Sequence, residues 1–270
     1  MNVDIALAHQ KAMEAAREAG TLIRTWIGRP TSTTAKSSPH DLVTEVDKAC
    51  QEVITRILQD AFPTSVILGE EGVAAGAQAA MEAVEQVERQ FLWVVDPIDG
   101  TLNFIRGIPA CTVSIGLFLE GKDVLGVIYD PIRDEMFSGY DGANAFLNGE
   151  IIHVSETDQL SHAVLASGFP TGHYRGKNAE QIRRFGEHVR NVRAMGSAAL
   201  HLAYVAAGRL DGFWENDLNA WDLSAGATLI RLAGGKVTDL DGAQYALETR
   251  HIAATNGKIH AQLLHDLHVE

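Results

Sequence analysis

Phe91-Leu92-Trp93-Val94-Val95-Asp96-Pro97-Ile98-Asp99-Gly100-Thr101 runs from five apolar residues straight into two aspartates and a Gly-Thr pair. A continuous apolar run of this kind is what a strand buried on both faces requires. It delivers Asp96 at its C-terminal end. Pro97 has no N–H to give to a ladder, so the spacing predicts a turn there, with Asp99 brought close to Asp96. The amides of Gly100 and Thr101 would then point outward. Hard divalent cations take carboxylate and carbonyl oxygens. Asp96, Asp99 and the Ile98 carbonyl between them, beside free amide donors, fit a site for a metal-bound phosphate. The competing explanation is local, with Asp99 as a helix cap and Asp96 as a bend residue.

A strand buried on both faces needs a layer on each side, and the flanking sequence supplies helices. Upstream, residues 3–26 carry Ile5, Ala8, Ala12, Ala15, Ala19, Leu22, Ile23 and Trp26 at three- and four-residue steps, with Gly28 and Pro30 beyond. Trp26 and Trp93 are expected in the core. The Ser/Thr-rich stretch 31–40 reads as an exposed loop. Helices are predicted over 45–60 and 78–88, with a short strand at 65–68 ending in Gly69-Glu70-Glu71-Gly72. Downstream, 111–119, 124–130 and 135–138 read as a meander.

After about residue 158 the pattern alternates. Strands are predicted at 163–167, 191–194, 211–215, 236–238 and 251–254. Helices are predicted at 178–190, 197–207, 222–233 and from 258 onward. This is an α/β layout, divided into an N-terminal half (1–157) and a C-terminal half (158–270), closely packed as one functional unit. No linker, low-complexity run or internal repeat separates the halves.

The 270 residues hold 22 Lys and Arg against 35 Asp and Glu, a formal charge of −13. That excess argues against a general nucleic-acid binder. Cys50 and Cys111 stand far apart and build no framework, which fits a reducing compartment. No apolar run is long enough for a membrane span, and the charges between Asp4 and Arg17 do not fit a signal peptide. GxxxxGK[ST], HExxH and GxSxG do not occur. Asp239-Leu240-Asp241-Gly242 fails as an EF-hand loop at Ala243 and reads as an acidic turn. His9, His40, His153, His162, His173, His188 and His201 lack paired metal spacing and read as packing or surface residues. The arginines from Arg175 to Arg193 read as a solvated helix face, with a positive rim as the functional alternative.

Other acids end elements as Asp96 does. Glu70 and Glu215 follow strands, where ligands collect in open α/β sheets. Asp47 and Asp222 open helices, where the dipole favours an acid with or without function. Carboxylates that converge must repel unless cations lie between them. Asp96-Pro97-Ile98-Asp99-Gly100-Thr101 combines with Gly69-Glu70-Glu71 and Trp221-Asp222-Leu223-Ser224-Ala225-Gly226. To these the chain adds Lys36-Ser37-Ser38-Pro39 and Asp41-Leu42-Val43-Thr44-Glu45-Val46-Asp47. Together they resemble the inositol monophosphatase family, in order and spacing, over nearly the whole chain.

The resemblance implies a layered αβαβα sandwich and a Mg²⁺-dependent, lithium-sensitive phosphatase of small phosphomonoesters, cytoplasmic and homodimeric. It implies two or three Mg²⁺ held by Glu70, Asp96, the Ile98 carbonyl, Asp99 and Asp222. Thr101 with Glu70 would orient the attacking water, and Asp47 would support them. Gly100 and Thr101 would receive the phosphate. Gly196-Ser197-Ala198 would face the substrate, Glu215 would bond ring hydroxyls, and Lys36 would sit at the rim. The expected reaction is hydrolysis of myo-inositol monophosphate by metal-activated water. No phosphoenzyme is expected, since every acid of the set is needed as a ligand. The same scaffold serves fructose 1,6-bisphosphate, adenosine 3′,5′-bisphosphate and histidinol phosphate. A family-derived regulatory or binding protein is the alternative of another class.

Overall fold

The computed structural model describes residues 3–29, 32–35, 42–74, 76–170 and 172–268. In chain order the elements are α1 (Ile5–Trp26), β1 (Thr33–Ala35), β2 (Leu42–Thr44), α2 (Glu45–Ala61), β3 (Val66–Gly69), α3 (Ala77–Gln86), β4 (Phe91–Asp99) and α4 (Thr101–Arg106). β5 (Thr112–Leu119), β6 (Lys122–Asp130), β7 (Glu135–Tyr140), β8 (Ala145–Leu147) and β9 (Glu150–Ile151) follow. The second half holds β10 (Val164–Ala166), α5 (Arg175–Gly186), β11 (Asn191–Arg193), α6 (Ala198–Ala206) and β12 (Gly212–Glu215). It closes with α7 (Ala220–Leu232), β13 (Lys236–Asp239), β14 (Ile252–Thr255) and α8 (His260–His268).

Among the described residues, β3 to β9 form one sheet in chain order, parallel between β3 and β4 and antiparallel thereafter. The second sheet has the order β11-β10-β12-β14-β13. Helices α1 and α2 cover one face of the first sheet, and α6 and α7 fill the space between the sheets. α5 and α8 cover the far face of the second. This is the layered αβαβα sandwich. β12 shows the layering in two residues: Phe213 packs toward α6 and α7 while Trp214 packs toward α5 and α8, as alternation along a strand requires.

Helix α7 lies close to the first sheet because glycines face it. Gly116 pairs with Gly126, and Gly126 pairs with Gly139, across β5, β6 and β7. A Cβ on Gly126 would stand 2.3 Å from the Ala225 carbonyl oxygen, and one on Gly116 2.5 Å from Ser224 Oγ. Gly226 does the same between α7 and α6, where a Cβ would lie 2.4 Å from Leu202 Cβ.

Four expectations need correction. Pro97 does not end the strand: β4 continues to Asp99, with a register shift between Asp96 and Asp99 that accommodates the proline, as bulges do. The 31–40 stretch is not wholly loop, since Thr33–Ala35 pairs with Leu42–Thr44. Trp26 is 39 % exposed, because the buried stripe of α1 ends at Ile23. Trp93 is fully buried as expected. Helix α5 begins before residue 178 and stops at Gly186.

Candidate active site

β3 and β4 run parallel with Gly69 beside Val95, so Glu70, just past β3, and Asp96, at the bulge of β4, lie at the same end of the sheet. Asp96 accepts the Ile98 N–H at 3.0 Å through Oδ1, which fixes the bulge. Gly100 follows at φ +96°. That is a left-handed conformation, and a Cβ there would meet the Ala110 carbonyl oxygen at 2.9 Å, so only glycine fits. Thr101 then opens α4. Its Oγ1 lies 3.2 Å from both Asp47 Oδ1 and the Ile98 carbonyl oxygen. The hydroxyl has one proton to share between them. Asp47 is held in turn by a capping box: its Oδ2 accepts from Thr44 N at 2.9 Å and Thr44 Oγ1 at 2.5 Å.

The second half supplies the opposite wall. Asp99 does not cap its own helix. Its Oδ2 accepts from Ser197 Oγ at 2.5 Å and Ala199 N at 2.7 Å, so the carboxylate faces the N-terminus of α6, where the dipole favours it. Asp222, in the first turn of α7, accepts the Asn219 N–H at 2.7 Å. Carboxylate oxygens of Asp96, Asp99 and Asp222 all lie within 4.8 Å of one another. Asp96 and Asp99 are buried and Asp222 is half-buried.

This crowding has an electrostatic cost. Burial raises the carboxyl pKa of Asp99 and raises that of Asp222 well above the ordinary range, with the Asp99 and Glu70 charges adding to it. Glu215, 6 % exposed, is also raised well above it by burial and by Asp222 and Asp99. Burial raises Asp47 as well. Three acids converging with oxygen donors alone is a donor set that a hard divalent cation fits. A cation between them would relieve the repulsion that adds to the raised value of Asp222.

A cavity of about 340 Å³ opens over the cluster, within the range of small-molecule sites. Glu70, Asp99, Gly100, Thr101 and Asp222 line it from the acidic side, and Gly196, Ser197, Ala198 and Glu215 from the other. Asp47, Asp96 and Ile98 stand behind the lining. The structure therefore brings together every anticipated site residue except Lys36, which lies outside the described residues.

Sequence reasoning overlooked several residues that hold this arrangement. Asn103 donates to the carbonyls of Ala110 and Met195, both at 2.7 Å, tying α4 to the Gly196 segment. Ser114 Oγ donates to the Trp221 carbonyl at 3.2 Å, and Thr112 Oγ1 lies 3.4 Å from Ser197 Oγ. The period-two run Thr112, Ser114, Gly116 was the available signal, a small and polar face pointing at the α6–α7 layer. His201 Nε2 accepts the Met195 N–H at 3.0 Å, and burial pushes its pKa down to about 3.

The profile of the inositol monophosphatase family matches residues 7–270. The chain is 40% identical over 252 residues to "Inositol monophosphatase 3" of Solanum lycopersicum, covering 92% of this chain and 91% of that one. It is likewise 40% identical over 263 residues to "Nus factor SuhB" of Pseudomonas aeruginosa, at 94% and 93% coverage. Among solved structures, the inositol monophosphatase from Anabaena superposes with a TM-score of 0.84 at 37% identity, covering 98% and 96%. The suhB extragenic suppressor protein of Bartonella henselae gives 0.87 at 36%, covering 97% and 98%. A match of this extent over a common fold makes the chain a member of the inositol monophosphatase family, a family of phosphatases.

Proposed function

We propose that the protein hydrolyses a small phosphorylated polyol, myo-inositol monophosphate first among them, with Mg²⁺ as cofactor. The observation that supports this best is the meeting of Asp96, Asp99 and Asp222 within 4.8 Å beneath a cavity that Glu215 also lines. Glu70, Asp96, the Ile98 carbonyl, Asp99 and Asp222 would hold two or three Mg²⁺. When bound, the cations neutralise the carboxylates, acidify a coordinated water and steady the leaving oxygen.

The chain's own groups do the remaining work. A Thr101 hydroxyl that donates to Asp47 keeps its lone pairs for an attacking water, and Glu70 accepts that water's second hydrogen bond. Asp47 thereby sets the direction of the Thr101 proton. The Gly100 and Thr101 amides receive phosphate oxygens. Glu215 accepts from a ring hydroxyl, which favours a polyol over an adenine. Lys36 would close the rim. Gly196, Ser197 and Ala198 form the substrate-facing wall, so both halves, 1–157 and 158–270, contribute to one site. Cytoplasmic location and a homodimer are carried over from the family resemblance, and light scattering tests the dimer.

The testing experiment is phosphate release with Mg²⁺ from myo-inositol 1-phosphate, fructose 1,6-bisphosphate, adenosine 3′,5′-bisphosphate and histidinol phosphate. The inositol ester is expected to lead. Release from none of them favours the second reading, a binding or regulatory role, which similarity to relatives named "Nus factor" supports.

A further inference from the structure

Asp222 must approach two other buried acids, and something has to hold it there. The segment before it does so under strain. Asp217 sits at φ +64°, a conformation that a residue with a Cβ adopts at a cost. Arg250 grips this segment at three consecutive residues. Its Nη2 donates to Asp217 Oδ1 at 2.7 Å and its Nη1 to Asn219 Oδ1 at 2.7 Å. Its carbonyl accepts the Leu218 N–H at 2.9 Å. The neighbouring His251 adds a fourth point, its Nδ1 accepting the Asp217 N–H at 3.2 Å. Asn219 then passes the constraint on, since its N–H donates to Asp222 Oδ2 at 2.7 Å within a capping box.

The Arg250–Asp217 pair is not a loose surface contact. The two side chains are 14% and 13% exposed. Arg250 lines the acidic cavity on one side and a second cavity, of about 480 Å³, on the other. A planar guanidinium holding two acceptors at once fixes orientation in a way that an ammonium does not. We propose that Arg250 is a positioning residue of this enzyme. It holds the turn 217–219 so that Asp222 presents its carboxylate to the divalent cation, without itself touching that cation. The proposal rests on the metal-site reading above.

The test is calorimetric titration of Mg²⁺ into metal-stripped protein, with no substrate present, for the wild type and for Arg250→Met, Arg250→Lys and Asp217→Gly. Residues that orient a ligand typically control affinity by about 10- to 100-fold. Arg250→Met is expected to weaken Mg²⁺ binding within that range. Arg250→Lys, which keeps the charge and loses the fork, should fall between it and the wild type. Asp217→Gly removes one arm of the clamp, while relief of the strained φ offsets part of the stability lost with the ion pair; it should lose affinity several-fold. A merely structural role would lower the melting temperature of the metal-free protein and leave the affinity of the folded fraction alone. Wild-type affinity in folded Arg250→Lys and Asp217→Gly overturns the proposal while leaving the metal site standing. Absence of Mg²⁺ binding in the wild type overturns the metal-site reading and the proposal with it.

Discussion

Asp99 is held across the chain by Ser197 and Ala199, but the other acids of the site are held by bonds that could equally serve an ordinary turn. Asp96 accepts from Ile98 N, Asp222 from Asn219 N, and Asp47 from Thr44. What separates them from simple caps is that they converge at an energetic cost, visible in the raised pKa values of Asp222, Asp99 and Asp47. Two predictions follow from that convergence. Asp96→Asn should abolish turnover while circular dichroism stays native, and it should stabilise the metal-free protein, because one repelling charge is gone. Near-wild-type kinetics in this variant would mean the cation assignment is wrong. Thr101→Ala removes the hydroxyl between Asp47 and the cavity and should lower kcat roughly 100-fold, the usual scale for a group that handles a proton. Unchanged kcat at saturating Mg²⁺ would remove Thr101 from the water-orienting role.

At the scale of elements, the sequence made the strands and helices legible because their periodicities are strong. The β4 run and the helix predicted over 45–60 both appear where their patterns put them, with Val46, Cys50, Ile54, Ile57 and Leu58 of the apolar stripe buried and Val53 half-buried. Pro97 shows what periodicity does not carry. Its missing N–H can be accommodated by a turn or by a bulge, and only the partner strand β5 decides between them. The Thr33–Ala35 pairing was hidden for a related reason: three residues are too few to show alternation. The glycines facing α7 were equally silent, since their purpose is the helix that approaches them. Gly126→Ala should push Ala225 away, destabilise the protein by about 1–3 kcal/mol and displace Asp222 three residues earlier. Urea unfolding measures the first effect and Mg²⁺ affinity the second. A stability loss below about 0.5 kcal/mol would contradict the close approach.

For the molecule as a whole, the site was legible as a set of residues before it was legible as a place. Motif order named Glu70, Asp96, Asp99, Asp222 and Glu215. Their meeting across two halves depends on Asp99 reaching Ser197 and Ala199, which no local pattern encodes. Arg250 and Asn103 were missed because their partners, the Asp217 carboxylate and Asn219 amide for the one and the Met195 carbonyl for the other, lie far away in the chain. The whole-molecule consequence is a pH dependence. A carboxyl whose pKa is raised on folding keeps its proton in the folded state while the unfolded chain releases it. The metal-free protein therefore loses stability as pH rises above the ordinary carboxylate value, across a window that extends well above it for Asp222 and Glu215. The buried His201 and His260 act in the opposite sense below pH 6.5, their pKa values being pushed down to about 3 and about 4. They do so with or without cation and cancel in the difference. The rise in melting temperature caused by Mg²⁺ should thus grow as pH is raised from 6 to 8. A rise that is flat or shrinking with pH would show that the acids do not take up the cation.

The central claim is that this acidic cluster turns a bound cation into hydrolysis of a polyol phosphate. Phosphate release from myo-inositol 1-phosphate, measured with Mg²⁺ and again after chelation with EDTA, tests it most directly. The account predicts turnover with Mg²⁺, its loss on chelation, and its return when Mg²⁺ is restored. Release that persists unchanged in EDTA, or no release at any Mg²⁺ concentration, would contradict it.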